Sequence, residues 1–174
     1  MMMRQLVVAK CLSWSTRIKV AVDTARGLSF LHDAKNKVIN RNLKSSNILL
    51  DEDFNAKLSD FILAKDGPPD DKTHVSTQVI GTYGYAAPAY ISTEFLSGCQ
   101  AFEISTDEDH LLVDWARSHL SKKKKKKVYR VVDPKLEGQY PLEGAVIVSN
   151  LALQGVSDNP RSRPRMAEVL AALE

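Results

Sequence analysis

The amino-acid sequence predicts a mainly α fold carrying one small β-hairpin. Three observations lead there. Trp14, Ile18, Ala21, Ala25 and Leu28 recur at spacings of four and three, which puts them on one face of a helix. The apolar runs Ile48-Leu49-Leu50 and Ala56-Lys57-Leu58 flank the turn-forming residues 51–55, the pattern of a hairpin. The closing stretch "AVIVSNLALQGVSDNPRSRPRMAEVLAALE" reads as two helices separated by a turn rich in Pro and Arg. With 174 residues, 44% hydrophobic and 26% charged, the chain has the make-up of one globular domain with a single core, which argues against disorder throughout.

The first helix is expected to start near Ser13, a natural N-cap, and to run through Gly27, which costs it some stability. After His32 the pattern changes to short runs, beginning with Val38-Ile39 and leading into the hairpin. Residues 60–88 are rich in Gly, Pro, Thr and Asp without periodicity, and a loop of that length in a compact domain is usually functional or mobile. A second helical region is expected from Asp107 onward, with Leu111, Leu112 and Trp115. "VVDPKLEGQYPLEGAV" then reads as loop and turn before the closing helices. There is no internal repeat.

Composition narrows the function classes. Cys11 and Cys99 lie far apart, offering neither a disulfide framework nor a metal knuckle, so both read as ordinary thiols in a reducing compartment. His32, His74, His110 and His119 do not cluster, which argues against zinc. No apolar stretch approaches a membrane span, the start "MMMRQLVVAK" lacks a signal-peptide pattern, and Met2 leaves no glycine for myristoylation. These features predict an intracellular, soluble protein. The formal charge is +3, yet six of the 24 Lys and Arg residues form one run, Lys122 and Lys127 with the four lysines between them. Such a run either binds nucleic acid or anionic membrane as a diffuse patch or is simply a solvated, self-repelling loop; no aromatic side chains interleave it to stack bases.

The chemistry concentrates in "VINRNLKSSNILLDEDFNAKLSDFILAKDG". Arg41, Lys44, Asn47 and Asp60, arranged around the hairpin, supply the kinds of polar group needed to hold a phosphate and a divalent metal. The order Arg41, Lys44, Asn47, hairpin, Asp60-Phe61, long loop, Gly81-Thr82, Ala87-Pro88 resembles the catalytic lobe of protein kinases. "LSWSTRIKVAVDTARGLSFLHDAKNKVI", "KSSNILLDEDFNAKLSDF", "DKTHVSTQVIGTYGYAAPAY" and "RVVDPKLEGQYPLEGA" look like plant receptor-like cytoplasmic serine/threonine kinases. The resemblance implies a partial kinase-like domain over residues 12–174, after a residual segment 1–11. Its catalytic loop would be 38–50, its activation segment 60–89, and a lysine-rich loop would occupy 121–128. It implies the large lobe only, with no small lobe to grip nucleotide from above.

By that resemblance the activity is ATP-dependent phosphorylation of protein Ser or Thr, with ATP and magnesium as cofactors. Asn47 and Asp60 fall on the metal-holding positions, and Lys44 on the lysine that neutralises the transferring group. The bland alternative for Asn47 and Asp60 is that of ordinary turn residues. Ser76, Thr77 and Thr82 are phosphosite candidates of the activation segment, with Arg41 as their partner; otherwise they belong to an exposed polar loop.

Three departures argue against activity. The catalytic-base position is Asn42, whose amide takes no proton at neutral pH. Ile62 replaces a glycine and is expected to misdirect Asp60. Ala89 stands where the family has a Glu that pairs with an Arg, here Arg163. After Ile91 the family's long apolar helix is replaced by a short crossing, which is expected to leave the stripe from Trp14 to Leu28 uncovered and the fold marginally stable. The resemblance therefore implies a degenerate, catalytically silent kinase domain, cytoplasmic or at the plasma-membrane periphery. Two rivals stay open: a pseudokinase decoy or scaffold that offers its activation-segment surface to a signalling or immune partner, and a degraded gene product without function.

Overall fold

The computed structural model describes residues 11–33, 35, 37–68, 102–104, 109–111, 125–157 and 159–174. Helix α1 spans Trp14–Asp33. It starts where expected: the Ser13 hydroxyl accepts the Thr16 N–H at 3.2 Å and the Ser13 carbonyl accepts that of Arg17 at 3.0 Å. Its inward face is Arg17, Val20, Ala21, Thr24, Ala25 and Leu28, a wider stripe than apolar spacing alone indicated, because one charged and one hydroxylated residue are buried with it.

The strands are short and antiparallel. β1 (Val38–Ile39) pairs with β4 (Lys65–Asp66), and β2 (Ile48–Leu50) with β3 (Ala56–Leu58) in the register Ile48 opposite Leu58. The hairpin turn is built by Asp51. One carboxylate oxygen accepts the N–H groups of Asp53 and Asn55 at 3.1 and 2.8 Å, and the other accepts the Asn55 side-chain amide at 2.8 Å. These bonds, the Asn55 side-chain amide first, hold the Asp51 carboxyl below its usual value. The hairpin is fastened to α1 by the Asp23 carboxylate, which accepts the Ala56 N–H at 3.2 Å, and by Lys19, which donates to Asn55. Gly27 lies at this contact: a Cβ there would meet the Leu58 side chain at 3.1 Å.

β5 (Phe102–Ile104) and β6 (Asp109–Leu111) form a third antiparallel pair, with Phe102 opposite Leu111. This corrects the start of the helix expected near Asp107, since Asp109, His110 and Leu111 are strand. Two adjacent leucines and a distant Trp sample too little of a helical period to outweigh strand pairing with the β-prone Phe102-Glu103-Ile104; Leu112 and Trp115 lie outside the described residues.

Helices α2 (Leu142–Gly155) and α3 (Met166–Leu173) close the chain as expected, α2 beginning three residues earlier than the apolar pattern suggested. Two apolar clusters form the core. Val128, Val131, Val132, Leu136, Ala145 and Val148 make one, with Trp14 and Ile18 of α1 packed on it. Ala25, Leu28 and Met166 make the other, bordered by Leu43 and Leu58, and Leu173 packs against both. The α1 stripe is therefore covered: Val20, Ala25 and Leu28 are 0–3% exposed. Among the described residues, the segment following Lys127 packs on Trp14 and Ile18, and α3 packs on Ala25 and Leu28. Among the described residues no helix is long and apolar enough to cross a membrane.

A buried ion pair ties α1 to this segment. Arg17 Nη2 donates to Asp133 Oδ2 at 2.6 Å, with both side chains only 9% exposed. Arg17 Nε also donates to the Leu12 carbonyl at 3.0 Å, Nη2 reaches the Cys11 sulfur at 2.9 Å, and Asp133 Oδ1 accepts the Lys135 N–H at 2.9 Å. Burial by itself raises the Asp133 carboxyl, but the Arg17 guanidinium and the Lys135 N–H outweigh it and hold the group below its usual value.

Candidate functional site

The loop between β1 and β2 and the chain leaving β3 meet because of the hairpin register. With Ile48 opposite Leu58, the flanking residues Asn47 and Ser59 are brought side by side, and the Asn47 carbonyl accepts both the N–H and the hydroxyl of Ser59, at 2.9 and 2.8 Å. Asp60 follows directly and is thereby delivered to the loop. Its backbone is left-handed, φ 56°, a conformation that Asp tolerates better than most residues.

Asp60 Oδ2 accepts Asn42 Nδ2 at 2.8 Å, with Asn47 Nδ2 farther off at 3.4 Å. An ionised carboxylate only accepts, so both amides turn their NH2 groups toward it. Asn42 is fixed at three points. Its N–H donates to Asn40 Oδ1 at 3.0 Å, its carbonyl accepts Asn47 Nδ2 at 2.8 Å, and its side chain holds Asp60. Asn40 is 5% exposed, and its own Nδ2 has no hydrogen-bond partner. Asn47 is likewise buried, at the end of the 3₁₀ turn Ser45–Asn47 that leads into β2.

The structure thus brings Asn42, Asn47 and Asp60 together. Arg41, also left-handed with φ 59°, anchors the neighbouring chain by donating from Nε to the Leu63 carbonyl at 2.7 Å. Lys44 precedes the 3₁₀ turn in extended backbone and is half-buried. Ser76, Thr77, Thr82 and Ala89 lie outside the described residues. Arg163 donates from Nε to the Ser157 carbonyl at 2.9 Å, a neutral partner rather than a carboxylate.

Ile62 does not do what its side chain suggested. Its backbone is not left-handed and its side chain is 90% exposed, so the β-branch meets solvent and leaves Asp60 against Asn42 and Asn47. Asn40 is the residue that sequence reasoning missed here. Its signal was present: an Asn two positions before a loop residue commonly caps that residue's N–H.

Comparison with known proteins bears on what this loop is. The family described as "Protein kinase domain" matches residues 2–107, more than half of the chain. The chain belongs to the protein kinase family. "Probable serine/threonine-protein kinase PBL2" of Arabidopsis thaliana is 50% identical over 95% of this chain and 43% of its own length. The "EPD1-interacting receptor-like cytoplasmic serine/threonine-protein kinase" of Nicotiana benthamiana is 50% identical over 95% of this chain and 39% of its own. "Serine/threonine-protein kinase PBL34" of Arabidopsis thaliana is 48% identical over 94% and 36%. The chain spans about two fifths of the length of the curated relatives it matches. Kinases of this family use ATP and magnesium. In this kinase-family chain the mainly helical fold with small antiparallel pairs is that of part of a kinase domain.

Proposed function

We propose that this chain is a degenerate serine/threonine kinase domain that does not transfer phosphate, with Asn42 at the base position, Asn47 and Asp60 at the metal positions, and Arg41 and Lys44 as the neighbouring cations. One observation carries the reading: Asn42 presents an N–H donor to Asp60 at 2.8 Å, where an active centre needs an acceptor for the substrate's hydroxyl proton. Losing a positioned base costs about 10²- to 10⁴-fold in rate. Magnesium fits poorly as a resident ion. The Asp60 oxygen nearest Asn42 and Asn47 faces two NH2 groups, which repel a cation, and an ion that keeps most of its water needs substrate phosphates to complete its shell. Weak or no binding of ATP and magnesium follows.

The test is radiolabel transfer from magnesium-ATP to a generic protein substrate. Incorporation no higher than in an Asp60→Ala control is expected, and incorporation clearly above that control would overturn the reading.

A second reading, a pseudokinase scaffold or decoy, is favoured over a degraded gene product by the built core, in which the α1 stripe is covered and the Arg17–Asp133 pair is buried. By likeness to relatives named as receptor-like and cytoplasmic, we place the chain inside the cell, in the cytoplasm or at the plasma-membrane periphery. The activation segment, with Ser76, Thr77 and Thr82, is its proposed contact with a protein partner. A cooperative melt of the purified chain supports this reading; aggregation without one favours the degraded product.

A further inference from the structure

We infer that Asn42 is a positioning residue that replaces a divalent cation: its amide holds Asp60 in place, so this loop is set without metal. The inference deepens, and rests on, the reading of the loop as a degenerate kinase centre. The charge of Asp60 is met on the protein side by N–H donors, Asn42 Nδ2 at 2.8 Å and Asn47 Nδ2 at 3.4 Å. Such donors satisfy a carboxylate by themselves. The Asn42 backbone is held in turn, because Asn40 Oδ1 accepts its N–H and Asn47 Nδ2 donates to its carbonyl. The buried side chain of Asn40 fixes Asn42 from below, and Asn47 bonds to both Asn42 and Asp60, so the three asparagines act as one clamp.

The consequence is specific to the amide. Exchanging it for a carboxylate turns the 2.8 Å attraction into a repulsion between two like charges, relieved by a cation between them. Native chain, Asn42→Asp and Asn42→Ala are melted in chelator and in millimolar magnesium. The native chain is expected to melt at the same temperature in both. Asn42→Asp is expected to fall by something on the order of 5 °C in chelator and to recover with magnesium. Asn42→Ala should fall without recovery, having lost the donor but gained no charge. Manganese alone, followed by the paramagnetic signal of the free ion, provides a reading that does not depend on any variant folding. The native chain should take up none with a Kd tighter than about 0.1 mM.

Tighter uptake by the native chain that is lost in Asp60→Asn, a magnesium shift in the native melt equal to that of Asn42→Asp, or an Asn42→Asp that melts like the native chain in chelator would each overturn the inference. None of these readouts involves phosphate transfer, so failure here and failure of the functional reading are separately visible.

Discussion

Replacing Asp133 with alanine takes the carboxylate away from the Arg17 guanidinium, whose side chain is only 9% exposed. Breaking such a pair by removing one member costs about 3–5 kcal/mol, against a total domain stability of about 5–15 kcal/mol. Solvent screening gives little relief at that burial. The Lys135 N–H also loses its acceptor, which adds about 1 kcal/mol. For a chain of this size each kcal/mol lowers Tm by about 2–4 °C, so a fall of roughly 8–24 °C is expected in Asp133→Ala. Asp133→Asn, which keeps an acceptor for Lys135, should fall less. The double exchange Arg17→Met with Asp133→Leu should recover most of the loss, because the desolvation cost of both charges disappears with them.

Urea unfolding across this cycle measures the coupling. A loss below about 1 kcal/mol in Asp133→Ala would show that the pair behaves like an exposed one and would refute the argument. The pair also sets a pH dependence. The folded Asp133 carboxyl lies below its unfolded value, so its contribution is complete above the ordinary carboxylate range and is lost as pH falls through the folded value. His32, pushed down mainly by burial, works in the same direction at higher pH: its contribution is complete above about pH 6.5 and declines below it. Asp133→Asn should show a smaller acidic step, since Asp51 and Glu168 are also held below their usual values, and keep the one near neutrality.

Gly27→Leu is expected to destabilise by about 1–3 kcal/mol in urea unfolding despite the better helix propensity of leucine, because even a Cβ at Gly27 meets Leu58 at 3.1 Å; unchanged stability would mean that α1 does not lie against β3 in solution. If the run ending at Lys127 acts as a diffuse patch, binding to DNA or anionic vesicles should fall steeply with salt, show no sequence preference and be abolished by replacing the six lysines with glutamine; adherence that survives the exchange would place the contact elsewhere.

Local pattern revealed those parts of the molecule whose determinants lie within a few residues of each other. Ser13 as a cap, the Ile48–Leu50 and Ala56–Leu58 hairpin and the two closing helices are of this kind. The meeting of Asn47 with Asp60 was legible as a spacing, and the hairpin register is its physical cause. What stayed hidden needed distant partners. Arg17 is buried because Asp133, far away in the chain, lies beside it, and the tolerance of Ile62 depends on where its side chain points. Asn42 was recognised as a residue unable to act as a base; that it donates to Asp60 belongs to three-dimensional geometry.

The position of α3 bears on how the chain is made. Met166 and Leu173 complete packing that Ala25 and Leu28 begin, yet roughly 130 residues separate the end of α1 from the start of α3. At ordinary rates of synthesis the inner face of α1 waits on the order of ten seconds after leaving the ribosome before its cover exists. During that interval Val20, Ala25 and Leu28 form an adhesive strip on a nascent chain, open to chaperones and to neighbouring chains. Yield in the cell should therefore respond to translation speed and chaperone supply more than the stability of the finished fold would suggest.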